Sequence, residues 1–271
     1  MSVDAFWSYV SERYAIWTRR ADGLPPPWTD DPILAGWRFP NVFRYLDPGT
    51  KMRNDIINQM GLTDFMDEVV ATTAYRLIQR RSTIEELGLP THDTVDAWSD
   101  RIRERRAQGI KVSSGLNAPR PLEHDLRAIK MVGYAPLEFA NNGMIAHEML
   151  KDVFSIGVYY GSQILADLLG SPRWHLDESE MVPLGHGARR GLLVVMTGEV
   201  ALGTHTRAWR SDVKLGRQEM DVYKHLCDDQ PDFGVRRLWP HEVEQNLCEL
   251  GRYWQIKNGR AGHVHVGRYH R

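Results

Sequence analysis

The stretch "VPLGHGARRGLLVV", Val182 to Val195, sets glycines 185 and 187 either side of a histidine and follows them with Arg189 and Arg190. Unpaired N–H groups at a helix start attract negative charge, and guanidinium groups grip phosphate bidentately. This spacing predicts an anion site at the mouth of a helix, against the plainer alternative of an ordinary turn with solvated arginines. Other chemistry is less well supplied. The chain lacks a G-x-x-x-x-G-K-[ST] phosphate loop. "GHG" has no preceding strand of the kind a dinucleotide site needs. "HEML" and "HEVE" lack the second histidine of a zinc protease helix. Cys227 and Cys248 form no C-x-x-C pair, so neither a metal nor a cofactor is expected. "HVH" near the C-terminus can touch a metal but is more simply a solvated terminal segment.

A second informative stretch is "MLKDVFSIGVYYGSQILADLLG". It predicts a helix ending near Phe154, a glycine-containing turn over "IGVYYG", and a second helix from Ser162 to Leu169. That order resembles a helix–hairpin–helix around residues 145–170, in which turn N–H groups hold a DNA phosphate. Gly157, Tyr159 and Gly161 are then the phosphate-side candidates, with Tyr159 in place of the hairpin's usual second glycine. A plain packing hairpin is the competing reading.

The elements that must position these residues are helical. Phe6, Val10, Tyr14 and Trp17 recur at helical spacing, and "ADGLPPPWTDDP" ends that helix with a rigid connector. "ILAGWRFPNVFRYLD" predicts a short helix pair or packed loop. Helical patterns follow from "KMRNDIINQMG" through "AYRLI", and in "TVDAWSDRIRERRAQGI", "PLEHDLRAIKMV", "MIAHEMLKDVF" and "RRGLLVVMTGEVAL". The last strong one is "HEVEQNLCELGRYWQIK", with Val243, Leu247, Leu250 and Trp254 on one stripe. Few segments alternate long enough to be strands. The fold class is mainly α, as one helical domain over 1–271 with two lobes as the alternative.

Composition adds bounds. With 42% hydrophobic and 25% charged residues the chain is ordinary globular material. A net charge of −1 means that any polyanion site must come from local clustering. No apolar run approaches membrane-spanning length and no secretory leader is visible, so a cytoplasmic location is expected, that of the host bacterium if the chain is phage-encoded.

Four blocks together resemble a known family. "FWSYVSERYAIWTRRADGLPPPWTDDPIL" and "WRFPNVFRYLD" carry an E-R, a P-W-T-x-D and an N-V-x-R-x-x-D. "AYRLI" and the hairpin form the middle, "GHGARRGL" resembles a G-P-G-A-x-R-G segment, and "VEQNLCELGRYWQ" resembles E-x-x-L-C-E-x-x-[KR]-Y. These are similar to the α-glutamyl/putrescinyl-thymine pyrophosphorylase-like proteins of phage thymidine hypermodification, the amino acid:DNA transferases. The helical domain of 5-hydroxymethyluracil DNA kinases shares several blocks.

The resemblance implies a fold related to helix–hairpin–helix DNA glycosylases. It implies a reaction in which an amino acid or polyamine displaces the (pyro)phosphate of activated 5-hydroxymethyluracil in DNA, with a functional link to a 5-hydroxymethyluracil DNA kinase. Arg189 and Arg190 would stabilise the leaving anion, beside Gly185, His186 and Gly187. A base must free the amine, and Glu12 and Asp47 are the candidates from matching blocks, with Asp31 and His186 behind them. Arg13, Asn41 and Arg44 would line the same site. The reacting carbon is reached by extruding the base, which Trp28, Phe39, Tyr45 or Tyr134 can stack upon. Asp167 would orient the hairpin or face the extruded base. Lys257 and Arg260, with Arg268 and Arg271, would track the phosphate backbone. Cys248 packs a helix face. The competing functions are a non-catalytic helix–hairpin–helix DNA-binding module and a DNA glycosylase.

Overall fold

The computed structural model describes residues 2–113, 120–198 and 216–260. His263, His265, Arg268 and Arg271 of the C-terminal stretch lie outside the described residues. Among the described residues there are twelve α-helices, two short 3-10 turns and no strand. In order they are α1 (Val3–Ala21), α2 (Pro32–Gly36), α3 (Pro48–Gln59) and α4 (Phe65–Ile78). Then come α5 (Arg81–Leu87), α6 (Val95–Ala107), α7 (Leu122–Val132) and α8 (Gly143–Asp152). The last are α9 (Gly157–Leu168), α10 (His186–Thr197), α11 (Arg217–Asp228) and α12 (Pro240–Lys257). The mainly α expectation holds. The chain forms two compact units, one running to Asp47 and resuming at Leu184, the other Pro48–Pro183.

The first unit is organised on the α10–α12 pair, with α1, α2 and α11 packed around it. Glycine explains how closely those two helices approach. A Cβ on Gly191 would overlap the Leu247 carbonyl, and one on Gly187 would overlap the Cys248 sulfur. One on Gly251 would come within 3.0 Å of the Gly187 carbonyl oxygen. Side chains at these three positions would force the helices apart, which a packed interior resists. Ser2 caps α1, which buries Phe6, Val10, Arg13 and Ile16 at helical spacing. Tyr14 and Trp17 are half-buried and stack on each other with centroids 5.8 Å apart. Pro240 opens α12, and Glu242 three residues into that end accepts from the Trp239 N–H at 3.0 Å.

The second unit is built on α4, which is buried on nearly every side and contacts α3, α5, α7 and α9. Its core includes Val69, Val70, Ile78, Leu126, Ile129, Leu150, Ile164 and Leu165. Two buried arginines inside it are paired with carboxylates. Arg53 donates to Glu68 at 3.0 Å and to Thr72 at 2.6 Å, and Glu68 also accepts from Ser171 and Arg173. Arg76 holds Asp167 through two bonds, the Nη2–Oδ1 one at 2.6 Å.

The hairpin boundaries differ from the sequence reading. The first helix ends at Asp152 and the second starts at Gly157, five residues before Ser162. The turn is therefore Val153–Ile156, and "GVYYG" is already helix. The left-handed conformation expected of glycine is taken by Ser155 at φ 63° as well as by Gly157 at φ 63°. Ser155 is fixed there because Arg120 donates to both its carbonyl and, at 2.7 Å, its hydroxyl. A polar clamp thus holds a serine in a conformation that usually selects glycine.

Candidate active site

Three of the four sequence blocks meet in the first unit. The "NVFR" segment is fastened to α12 by successive residues of that helix. Glu242 accepts from the Arg44 backbone N–H at 2.8 Å, Gln245 donates to the Asn41 carbonyl at 3.0 Å, and Asn246 donates to the Val42 carbonyl at 3.1 Å. Glu242 is fully buried and is also held bidentately by Arg236, so its charge is matched where it is desolvated.

Two carboxyl groups lie within reach of the Arg44 charge. Asp47 accepts from the backbone N–H and the side-chain amide of Asn41, at 2.9 and 3.1 Å. Burial raises its pKa above the ordinary value, against the lowering effect of the Asn41 N–H and Arg44. Glu244, on α12, accepts from the Gly185 N–H at 3.1 Å. Burial carries it from the usual 4.5 up to about 7, although the Gly185 N–H and Arg44 both favour its anion. A carboxyl poised near 7 is suited to taking a proton from an amine at neutral pH. Sequence reasoning passed over Glu244. The signal was present, because Glu244 is the first residue of the E-x-x-L-C-E pattern.

The "GHGARRG" turn is a helix mouth, as its composition predicts, but its glycines serve the approach to α12. The Gly185 N–H is answered by Glu244 from within the unit. His186 is exposed, Arg189 is buried at 7% exposure and Arg190 is half-buried, so the two arginines face different surroundings. The Cys248 thiol is pushed up to about 12 by burial and stays protonated, in keeping with a packing role.

Other candidates have more local partners. Arg13 is buried; it donates to Asn246 at 2.6 Å and to the Pro40 carbonyl, and lies over the rings of Tyr9 and Phe39. Glu12 pairs with Arg19 at 3.1 Å near the surface, not with the adjacent Arg13. Asp31 caps α2 through the Ile33 and Leu34 N–H groups and accepts from the Tyr253 hydroxyl at 2.6 Å. Trp28 donates to the Leu24 carbonyl and carries Arg20 over its ring at 5.1 Å. Lys257 lies over the Trp254 ring at 4.9 Å, and Arg260 is half-buried at the end of the described segment. A cavity of about 30 Å³ beside Arg13, lined by Trp17, Trp37, Phe39 and Asn41, has room for one water and not for a pyrimidine.

In the second unit, Gly157 opens α9 with no atom near the position of a Cβ, and Tyr159 is 55% exposed in the first turn. Gly161 lies a turn deeper, against His147 of α8. The Asp167 side chain is sealed against Arg76, which fits orienting the hairpin and leaves it no exposed oxygen. Tyr134, at the end of α7, is 68% exposed. Among the described residues no helix is long and apolar enough to cross a membrane.

Residues 1–262 match the family described as the helical domain of 5-hmdU DNA kinase. A 5-hmdU DNA kinase of Bacillus phage SP10 is 32% identical over 118 residues, 40% of this chain and 18% of that protein. The match therefore spans under a fifth of the relative's length. No solved structure matches the chain. Because the family match runs through nearly the whole sequence, the chain belongs to the 5-hmdU DNA kinase helical-domain family.

Proposed function

We infer that this protein modifies DNA carrying activated 5-hydroxymethyluracil, joining an amine to the 5-methylene carbon of the base. The amine nitrogen supplies the electron pair of the new C–N bond. The bond from the methylene carbon to the phosphate oxygen breaks, and the (pyro)phosphate leaves with that electron pair. The proton lost by the amine passes to a carboxylate. The observation that carries this reading is the arrangement of Asp47 and Glu244, two carboxyls raised by burial, both within the field of Arg44. A carboxylate placed beside the amine provides base catalysis, typically worth about 10²–10⁴ in rate. Arg44, Arg189 and Arg190 supply positive charge for the departing anion.

Family membership supports a DNA substrate with a modified pyrimidine and a functional link to a kinase that phosphorylates it. The small size of the cavity beside Arg13 means that an extruded base is received only after the aromatic side chains around it shift. Glu12 is committed to Arg19 near the surface, which favours Asp47 and Glu244 as the bases. The α8–α9 hairpin favours a second reading, a DNA-binding module without chemistry. Its left-handed turn at Ser155 and Gly157 and the exposed Tyr159 suit contact with a phosphate backbone. The two are separated by incubating the protein with phosphorylated 5-hydroxymethyluracil DNA and a pool of amines, then digesting to nucleosides for mass spectrometry. An amine adduct supports transfer; DNA binding with no adduct supports the module; abasic sites would point to a glycosylase.

A further inference from the structure

Arg236 engages residues 43, 44 and 45 in succession, and the chemistry above gives it no part. It lies in the loop between α11 and α12, within the first unit. Its guanidinium holds the buried Glu242 with both arms, Nη1 to Oε2 at 2.7 Å and Nη2 to Oε1 at 2.9 Å. The same Oε1 accepts the Arg44 backbone N–H at 2.8 Å. The guanidinium also covers the rings on either side of Arg44, Phe43 at 5.0 Å and Tyr45 at 5.1 Å, and stands 5.4 Å from the Trp239 ring. An arginine suits this place, because its planar fork matches both carboxylate oxygens while its flat face lies on aromatic rings. The loop has its own closure in Gln230. That side chain donates to the Cys227 and Leu238 carbonyls, both at 2.8 Å, and accepts the Leu238 N–H at 2.7 Å.

What the clamp fixes is the place of the Arg44 charge. Asp47 faces Arg44 and, from α1, Arg13. Glu244 faces Arg44, the Gly185 N–H of the α10 mouth, and Glu249 and Arg252 of its own helix. Arg44 is the cation common to both carboxyls, and for each it favours the anion. We propose that Arg236 is a positioning residue, which sets the charge environment of Asp47 and Glu244 by holding the segment that carries Arg44. Its consequence for rate rests on the transfer chemistry inferred above; its effect on the two carboxyls does not. A role confined to neutralising Glu242 would show as lost stability alone, with Asp47 and Glu244 titrating as before.

The test is carboxyl titration by carbon-13 NMR on the full chain, with the two signals assigned from Asp47→Asn and Glu244→Gln. Arg236→Lys keeps the charge and loses the fork and the flat face. With Arg44 released, both carboxyls should hold their protons to higher pH, Glu244 by about half a pH unit or more. Arg237→Lys is the control and should shift neither, since Arg237 donates to the Cys227 carbonyl at 2.9 Å at the end of α11. Tyr45→Leu, at an exposed position, removes one ring and leaves the Glu242 pair. It should shift both carboxyls the same way by less, and it serves as the deciding variant if Arg236→Lys does not fold. Where an adduct forms, the rising limb of its pH profile should move with the Glu244 titration. The proposal is overturned if folded Arg236→Lys, or Tyr45→Leu in its place, titrates like wild type at both carboxyls, or if Arg237→Lys moves them equally. Absence of any adduct would overturn transfer and leave the titration result standing.

Discussion

The carboxylate of Glu244 accepts the Gly185 N–H at 3.1 Å, so a side chain of α12 occupies the start of α10 where an anion is expected. This contact joins two stretches 59 residues apart in sequence and gives both a role. It also defines the pH behaviour of the site. Burial raises Glu244 from 4.5 to about 7, so between those values the folded chain holds more protons than the unfolded one. Stability linked to Glu244 is therefore complete below about 4.5, falls as pH rises through about 7, and is flat above. Glu244→Gln keeps an acceptor for Gly185 and removes that loss. Melting temperature of the variant should match wild type near pH 4 and equal or exceed it at pH 8; a lower value at pH 8 would mean that the anion is needed for folding.

Gly191→Ala should destabilise the first unit. Alanine gains about 1 kcal/mol of helix propensity over glycine, but overpacking costs about 1–3 kcal/mol. Here the obstacle is the Leu247 backbone carbonyl, which cannot rotate away, so the clash wins. Gly187→Ala meets the Cys248 sulfur instead, and Cys248→Ala should recover much of its cost. Denaturant unfolding of the four variants measures the difference. A stabilising Gly191→Ala would contradict the close α10–α12 approach.

Asp167→Asn should cost about 3–5 kcal/mol, because it leaves Arg76 buried without its counter-charge. The double change Arg76→Met with Asp167→Leu should cost clearly less. If Asp167→Asn folds normally and loses DNA chemistry alone, the residue faces the base after all.

Tyr159→Ala should leave the melting temperature within about 0.5 kcal/mol of wild type in stability terms, since an exposed ring contributes little packing. If the hairpin grips DNA, affinity falls. Wild-type affinity should also drop with rising salt in proportion to the phosphates contacted. Affinity flat in salt and untouched by Tyr159→Ala would place the DNA contact elsewhere.

The sequence made the strongly periodic helices legible, α1 through its Phe6–Val10 stripe and α12 through Val243, Leu247 and Leu250. It hid α11, a mostly polar helix in which only Tyr223 and Leu226 are buried, too few to define a face. The hairpin was read with its turn too long, because Ser155 takes a conformation that composition assigns to glycine and Arg120 supplies the bonds that hold it there. The "GHGARRG" glycines were visible as special positions, but whether they admit a phosphate or a neighbouring helix depends on what stands opposite, which is a tertiary fact. The same holds for Glu244: its pattern was in view, but only its burial against Gly185 marks it out, whereas Glu12, favoured by its matching block, lies paired with Arg19 near the surface.

The most direct test is nucleoside mass spectrometry on phosphorylated 5-hydroxymethyluracil DNA incubated with amines and with wild type, Asp47→Asn or Glu244→Gln, across pH 6 to about 9. Wild type should form an amine adduct whose rate rises with pH through about 7, where Glu244 loses its proton. At least one of the two variants should fold, bind DNA and lose about 10²-fold or more of that rate. An adduct formed at wild-type rate by both variants would contradict the carboxylate pair as the seat of chemistry, and no adduct from any amine with intact DNA binding would contradict transfer itself.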